Sequence, residues 1–270
     1  MTATLMTLEQ RYTEVNQRIA DAASVAGRAG EEIILVAVTK YAEPEQIRAL
    51  VNLGHKDFGE NRVQQLLQRA AMCDEYLTRH RVLTRTPKPA SGLFDSSAPA
   101  MATPPGSLRW HMIGMLQRNK ARKALDVCRL VHSISSLKLA EEVHTLAAKR
   151  SEPVEVLLQV NASGEGQKSG CPLPATRHLA EQIDTMVNVR LRGLMTMAPY
   201  SDNPEDARPT FARCREVFED VRASGVGEGR FNILSMGMSG DYEVAISEGA
   251  NVVRVGSALF GEPTREADAD

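Results

Sequence analysis

A chain of 270 residues is long enough for one α/β barrel or two small domains, and it can bury a sizeable core. Its 32 lysines and arginines stand against 34 aspartates and glutamates, a net charge of −2 that offers no basic excess for nucleic acid and no charge block for a membrane surface. The four cysteines are scattered without a C-x-x-C pair, no signal-like apolar core opens the chain, and no apolar run approaches the roughly 20 residues of a membrane span, so a reduced, cytoplasmic protein is expected.

Residues 5–27 carry Leu5, Leu8, Tyr12, Val15, Ile19 and Ala22 at helical spacing and stop before Gly27, which predicts an amphipathic helix ahead of the first strand. Ile33 to Val38 are six consecutive apolar residues, rich in β-branched types, closed by Thr39 and Lys40. Such a run reads as a strand buried on both faces of a parallel sheet. Pro44 in a first turn and Gly54 past an end bracket the next helix. A short strand-like segment at 57–61 and a helix from about Arg62 to Cys73 continue the β-α-β-α alternation. Residues 78–107 interrupt it with five of the 13 prolines and no apolar period, and read as a flexible Pro/Ser-rich surface insertion within one barrel spanning 1–270.

Regularity then returns. Strand-like segments fall at 109–114, 130–134, 154–160, 191–197, 233–236 and 252–256, with helical segments near 118–126, 136–149, 173–186, 205–223 and 240–248. Counting the first two strands gives eight alternating units, which favour an α/β fold closed as a (β/α)8 TIM barrel over an open doubly wound sheet. The extra N-terminal helix would cover the place of a last outer helix.

The chemistry-bearing residues gather at the predicted strand ends. Lys40 closes the first strand, where α/β folds place their chemistry. The seventh ends in Leu234-Ser235-Met236-Gly237-Met238-Ser239-Gly240-Asp241, leading to a helix capped by Ser239 or Asp241. The eighth ends in Arg254-Val255-Gly256-Ser257, a glycine and hydroxyl entering a helical turn and thus a phosphate cup. In a closed barrel the eighth strand neighbours the first, so lysine and cup should lie within a cofactor's length. A reactive lysine beside a phosphate cup points to an aldehyde cofactor carrying a phosphate, pyridoxal 5′-phosphate (PLP) held as a Schiff base. Arg254 shares the strand side of Gly256 and is either a structural ion pair or a ligand contact. His111, mid-strand among apolar residues, reads as a hydrogen-bonded core histidine. The Gly-rich loop 161–170 lacks the Walker spacing, and the six histidines show no metal-ligand pairing, so no metal is expected.

Several stretches in order resemble the PLP homeostasis proteins, small one-domain barrels related to the alanine racemase N-terminal domain. They are Leu-Val-Ala-Val-Thr-Lys (35–40), Phe-Gly-Glu-Asn-Arg-Val-Gln (58–64), Trp-His-Met-Ile-Gly-Met-Leu-Gln-Arg-Asn-Lys (110–120), Val-His-Ser-Ile (131–134), Leu-Leu-Gln-Val-Asn (157–161), Lys-Ser-Gly (168–170), Gly-Leu-Met-Thr-Met-Ala (193–198), Leu-Ser-Met-Gly-Met-Ser (234–239) and Val-Arg-Val-Gly-Ser-Ala-Leu-Phe-Gly (253–261). The resemblance implies a fold-type III PLP-binding barrel with Lys40 as the imine lysine. It implies Ser235, Gly256 and Ser257 at the phosphate, Arg254 at the pyridine nitrogen and Asn61 lining the pocket. The chain departs from the family's usual residues at Met115, Ser135, Gly240 and Ser257; serine keeps the hydroxyl at the last.

Two functions follow as expectations. The first is a non-enzymatic carrier or buffer of PLP, monomeric, with PLP-dependent apoenzymes as acceptors, acting in vitamin B6 and amino-acid homeostasis without nucleic acid or membrane. The second is a PLP-dependent amino-acid racemase of weak activity. A two-base racemase needs an acid/base opposite the lysine, and none of Tyr41, Tyr200 or Tyr242 sits in a motif that marks it as that base.

Overall fold

The computed structural model describes residues 6–85, 108–165 and 169–261, with only the backbone described for 81–85. Its strands are β1 (Ile34–Val38), β2 (Asp57–Glu60), β3 (Arg109–Met112), β4 (Cys128–Ile134), β5 (Val154–Asn161), β6 (Cys171–Pro172), β7 (Val189–Met195), β8 (Ile233–Ser235) and β9 (Val252–Val255). The helices are α1 (Leu8–Val25), α2 (Pro44–Asn52), α3 (Val63–Arg85), α4 (Arg118–Leu125), α5 (Leu137–Ala147), α6 (Thr176–Asp184), α7 (Arg208–Ala223), α8 (Tyr242–Ser247) and α9 (Ser257–Phe260). Parallel pairing runs β4-β3-β2-β1-β9-β8-β7-β5, and a further β4–β5 pairing closes the ring. The fold is the expected eight-stranded parallel barrel; β6 is a two-residue strand beside β5 that periodicity cannot show.

The seam of the barrel is the β1–β9 pair, with Val36 opposite Arg254 and Ala37 opposite Val255. This register brings the two strand ends singled out in the sequence side by side. Helix α1 covers the seam from outside. A capping box between Thr7 and Gln10 starts it, and Val15, Ile19 and Ala23 form its buried stripe. It packs on α8 and α9, and Arg11 Nε donates to Leu259 O at 2.7 Å. The expected substitute for a last outer helix is therefore in place.

One boundary is corrected. Helix α3 runs on to Arg85, so 78–85 belongs to the helix and not to an insertion. Leu77 is fully buried and Glu75 pairs with Arg79 one turn on, so the helical face persists past Cys73. The first proline, Pro87, lies just beyond, and the residue before a proline disfavours helix. The rest of the expected insertion, 86–107, lies outside the described residues.

Inside the barrel the side chains form layers. At the amino ends of the strands, buried Glu155 pairs with Arg192 (2.6 Å), Arg129 (2.9 Å) and Arg190 (3.7 Å). Above it Leu130, Leu157, Met195 and Ile233 make an apolar plug. Gly193 lets β7 lie against β8, since a Cβ there would stand 1.7 Å from Ile233 O. A polar layer follows, and over it the strand ends open.

Candidate cofactor site

The carboxyl ends of the strands open into a cavity of about 670 Å³, within the range of pockets that hold small cofactors. Strand alternation decides which side chains reach it. Val38 and Lys40 reach the wall from β1, Arg254 and Gly256 from β9, and Asn61 from the end of β2. With Ser257, five of the six site residues read from the sequence thus line one cavity.

Lys40 is exposed at the mouth, and its Nζ lies 4.6 Å from the centre of the Tyr41 ring, a cation–π contact. Thr39, its neighbour, turns inward and donates to Glu60 at 2.5 Å, and Glu60 also pairs with Arg69 at 3.0 Å. This buried group ties the ends of β1 and β2 together, which fixes where Lys40 and Asn61 project. Burial raises the Glu60 carboxyl pKa, opposed by Arg69 and the Thr39 hydroxyl. Gly114 brings the end of β3 against the same turn, because a Cβ there would stand 2.1 Å from Asn61 O.

Arg254 forms part of the cavity floor. It is 3% exposed, and among the described residues no carboxylate is in ion-pair contact with it. Burial pushes its pKa down to about 10, opposed by the field of Asp241. Asp241 lies in the cavity wall, accepts from the Met238 N–H at 2.6 Å, and has its own pKa raised by burial. The N–H groups of Gly256 and Ala258 converge on Ser239 Oγ at 3.1 and 3.3 Å. Two backbone donors converging on one oxygen form a cradle that fits a phosphate oxygen.

Ser235 is the exception. It is fully buried beneath the cavity and is not part of its wall. Its hydroxyl joins Arg254 Nη1 (2.6 Å) to His132 Nδ1 (3.0 Å), so it supports the arginine from behind, and Ser239 stands at the cradle instead. In the sequence Ser239 reads as a helix cap and His132 as one residue of a family motif, neither with a role at the site; their roles depend on contacts across the barrel. Gln159 and Met238, from two of the motifs that carry the resemblance, also line the wall.

The Ser235 contact is one link of a longer chain. His132 Nε2 meets His111 Nδ1 at 2.9 Å, and His111 Nε2 meets Asp57 Oδ1 at 3.1 Å. Asp57 is held in turn by the Arg109 guanidinium at the amino ends of the strands. Arg254 Nη2 donates to Thr196 O at 2.9 Å. His111 is thus a core histidine, as read, but within a network. Burial would push the Asp57 carboxyl up; the hydrogen bonds from His111 and Arg109 outweigh it and hold the pKa at about 2, below its ordinary 3.8. A folded pKa below the unfolded one adds stability that is present above about pH 4 and lost as the pH falls toward 2. Acid titration of the melting temperature should show this loss, on the order of 2 kcal/mol, and Asp57→Asn should remove that segment of the curve.

Other reactive groups are quiet. Burial pushes the thiols of Cys73, Cys128 and Cys214 up to about 12, which disfavours thiolate chemistry. Among the described residues no three His, Cys, Asp or Glu side chains are placed to share a metal ion, and no helix is long and apolar enough to cross a membrane.

A family profile described as the alanine racemase N-terminal domain matches residues 17–263. A protein of Aquifex aeolicus named pyridoxal phosphate homeostasis protein is 36% identical over 257 residues, covering 94% of this chain and 97% of its own. Its namesake in Pseudomonas aeruginosa is 35% identical over 257 residues, covering 95% and 96%. Among solved structures, PipY of Synechococcus elongatus with PLP bound is 31% identical, covers 90% of this chain and 100% of its own, and superposes with a TM-score of 0.68. The alanine racemase of Corynebacterium glutamicum is alike in fold alone, at 14% identity and a TM-score of 0.61, and this chain spans 62% of it.

Proposed function

The chain belongs to the alanine racemase N-terminal domain family, among its pyridoxal phosphate homeostasis proteins, and on that premise we propose that it holds PLP as a Schiff base on Lys40 and stores or delivers it in the cytoplasm. The observation that carries this reading is the meeting of Lys40, Arg254 and the Gly256–Ala258 cradle in one cavity. When bound, PLP supplies an aldehyde that condenses reversibly with an amine, releasing water, and a ring that withdraws electrons. Lys40 would provide that amine through its Nζ. The N–H groups of Gly256 and Ala258, with the Ser239 and Ser257 hydroxyls, hold the phosphate, and Asn61 borders the ring.

Arg254 would face the ring nitrogen. A guanidinium donates and cannot accept, so it disfavours a protonated ring and weakens it as an electron sink. Storage needs no such sink, and a weakened one tempers carbanion chemistry. Of the three tyrosines near the strand ends, Tyr41 lines the cavity but packs on Lys40 itself and so stands on the lysine's side, not opposite it. Tyr200 is 93% exposed with its hydroxyl on Asp202, and Tyr242 is buried with its pKa raised to about 12. The protein works as a monomer, and its partners are PLP-dependent apoenzymes that receive the cofactor by hydrolysis or transimination, serving vitamin B6 and amino-acid balance.

Titration with PLP, followed by borohydride reduction and peptide mapping, tests the assignment. A visible imine band and a pyridoxyl adduct on Lys40 are expected, without racemisation of added alanine. Absence of both band and adduct in excess PLP would remove the cofactor reading. Rapid racemisation would replace the carrier with an enzyme.

A further inference from the structure

The polar chain beneath the cavity has more order than a packed core requires. Its cavity end is Arg254, whose guanidinium can only donate; its far end is Asp57, whose ionised carboxylate can only accept. Between them stand one hydroxyl, with one donor and two acceptor sites, and two imidazoles, each with one donor and one acceptor when neutral, so the direction is set from the Asp57 end. Four hydrogen bonds link the five side chains, and each needs one proton. The count has a single solution with both rings neutral. Arg254 donates to Ser235, Ser235 to His132 Nδ1, His132 Nε2–H to His111 Nδ1, and His111 Nε2–H to Asp57.

The groups facing His132 enforce that solution. His132 is fully buried, with Arg254 on one side through Ser235 and His111 on the other. A proton added to His132 would place a second buried cation beside Arg254. It would also turn Nδ1 into a donor and leave the Ser235 hydrogen without an acceptor among the described residues, a costly arrangement in the interior. Burial, His111 and Arg254 all lower the His132 pKa, in the same sense. The chain joins β2, β3, β4, β8 and β9, and its Asp57 end is clamped by Arg109, which is 47% exposed at the opposite mouth of the barrel.

We propose that Asp57, His111, His132 and Ser235 form a one-way hydrogen-bond relay that positions Arg254, so that the donor presented to the cofactor ring is fixed from the far mouth of the barrel. These four are positioning residues; none of them lies in the cavity wall. The relay anchors Nη1 through Ser235, and the Thr196 carbonyl anchors Nη2, which leaves one orientation for the guanidinium plane. The inference rests on the reading that Arg254 meets the ring nitrogen of PLP.

The test has an arm that needs no cofactor. In the apoprotein labelled with ¹⁵N-histidine, long-range ¹H–¹⁵N spectra should show His132 neutral and protonated on Nε2, unchanged between about pH 8 and about pH 5.5, across the range where a free imidazole titrates. A proton on His132 Nδ1, in a neutral or a charged ring, overturns the relay. In the second arm Asp57→Asn, which can donate as well as accept, should loosen the direction of the chain, shift the visible band of bound PLP and weaken binding roughly tenfold, the effect of one charge-assisted hydrogen bond. Arg129→Ala, at the same end of the barrel on Glu155, should change stability but not the band. A band unmoved in Asp57→Asn, or moved equally in Arg129→Ala, overturns the relay while PLP binding stands. Failure of the unmodified protein to bind PLP would instead remove the function on which the relay rests.

Discussion

Lys40→Ala is expected to abolish the visible imine band of the PLP-loaded protein outright, and with it the borohydride-trapped adduct, while the fold remains. The side chain is exposed at the end of β1 and packs on the Tyr41 ring, so its removal should change stability by no more than about 0.5 kcal/mol. The cradle at Gly256 and Ala258 and the donor at Arg254 stay in place, so PLP should still associate without a covalent bond, and equilibrium dialysis should detect it. Difference spectra and thermal melts of the two proteins, measured side by side, decide the matter. A band that survives the substitution would move the covalent site to another lysine.

Gly193→Ala should have the largest effect on the fold itself. The added methyl would stand 1.7 Å from the carbonyl oxygen of Ile233 and 3.0 Å from its nitrogen, both backbone atoms of a paired strand. No side chain can move aside to relieve that contact, so β7 and β8 must separate. A loss of at least about 4 kcal/mol, or no folded protein, is expected in urea denaturation. Gly240→Ala, where the same methyl meets open space, is the control and should be close to neutral. A Gly193→Ala protein within about 1 kcal/mol of the parent would show that the strands have slack here.

These two residues show where the sequence was readable and where it was not. Lys40 announces itself because a charge ends a six-residue apolar run, and the strand count puts that end beside Arg254 and Gly256. Local pattern and a closure rule suffice for such a site. Ser235 and Ser239 show the limit. Both belong to the same motif and carry the same hydroxyl, and only the path of the chain after β8 decides which reaches the cavity and which supports Arg254 from below. His132 stands in a motif of the resemblance, but nothing local gives its role, since its partners come from β3 and β8. The continuation of α3 past Cys73 was hidden for another reason: polar residues dilute the apolar period there, and among the described side chains Leu77, with Tyr76 beside it, keeps the face on the core.

The polar relay also bears on how the chain can fold. His132 and Ser235 are separated by 103 residues, yet each satisfies a buried polar atom of the other. A half-barrel built from β1 to β4 would seal the apolar outer faces of its strands but leave the His132 Nδ1 open. A half built from β5 to β9 would leave the buried guanidinium of Arg254 propped on a serine whose own proton has no acceptor. Each half alone thus carries an unpaired polar group at its centre, and only their union pairs both. Partly formed barrels are penalised at the core, so the transition between unfolded and folded chain is expected to be steep, with long-range closure as its slow step.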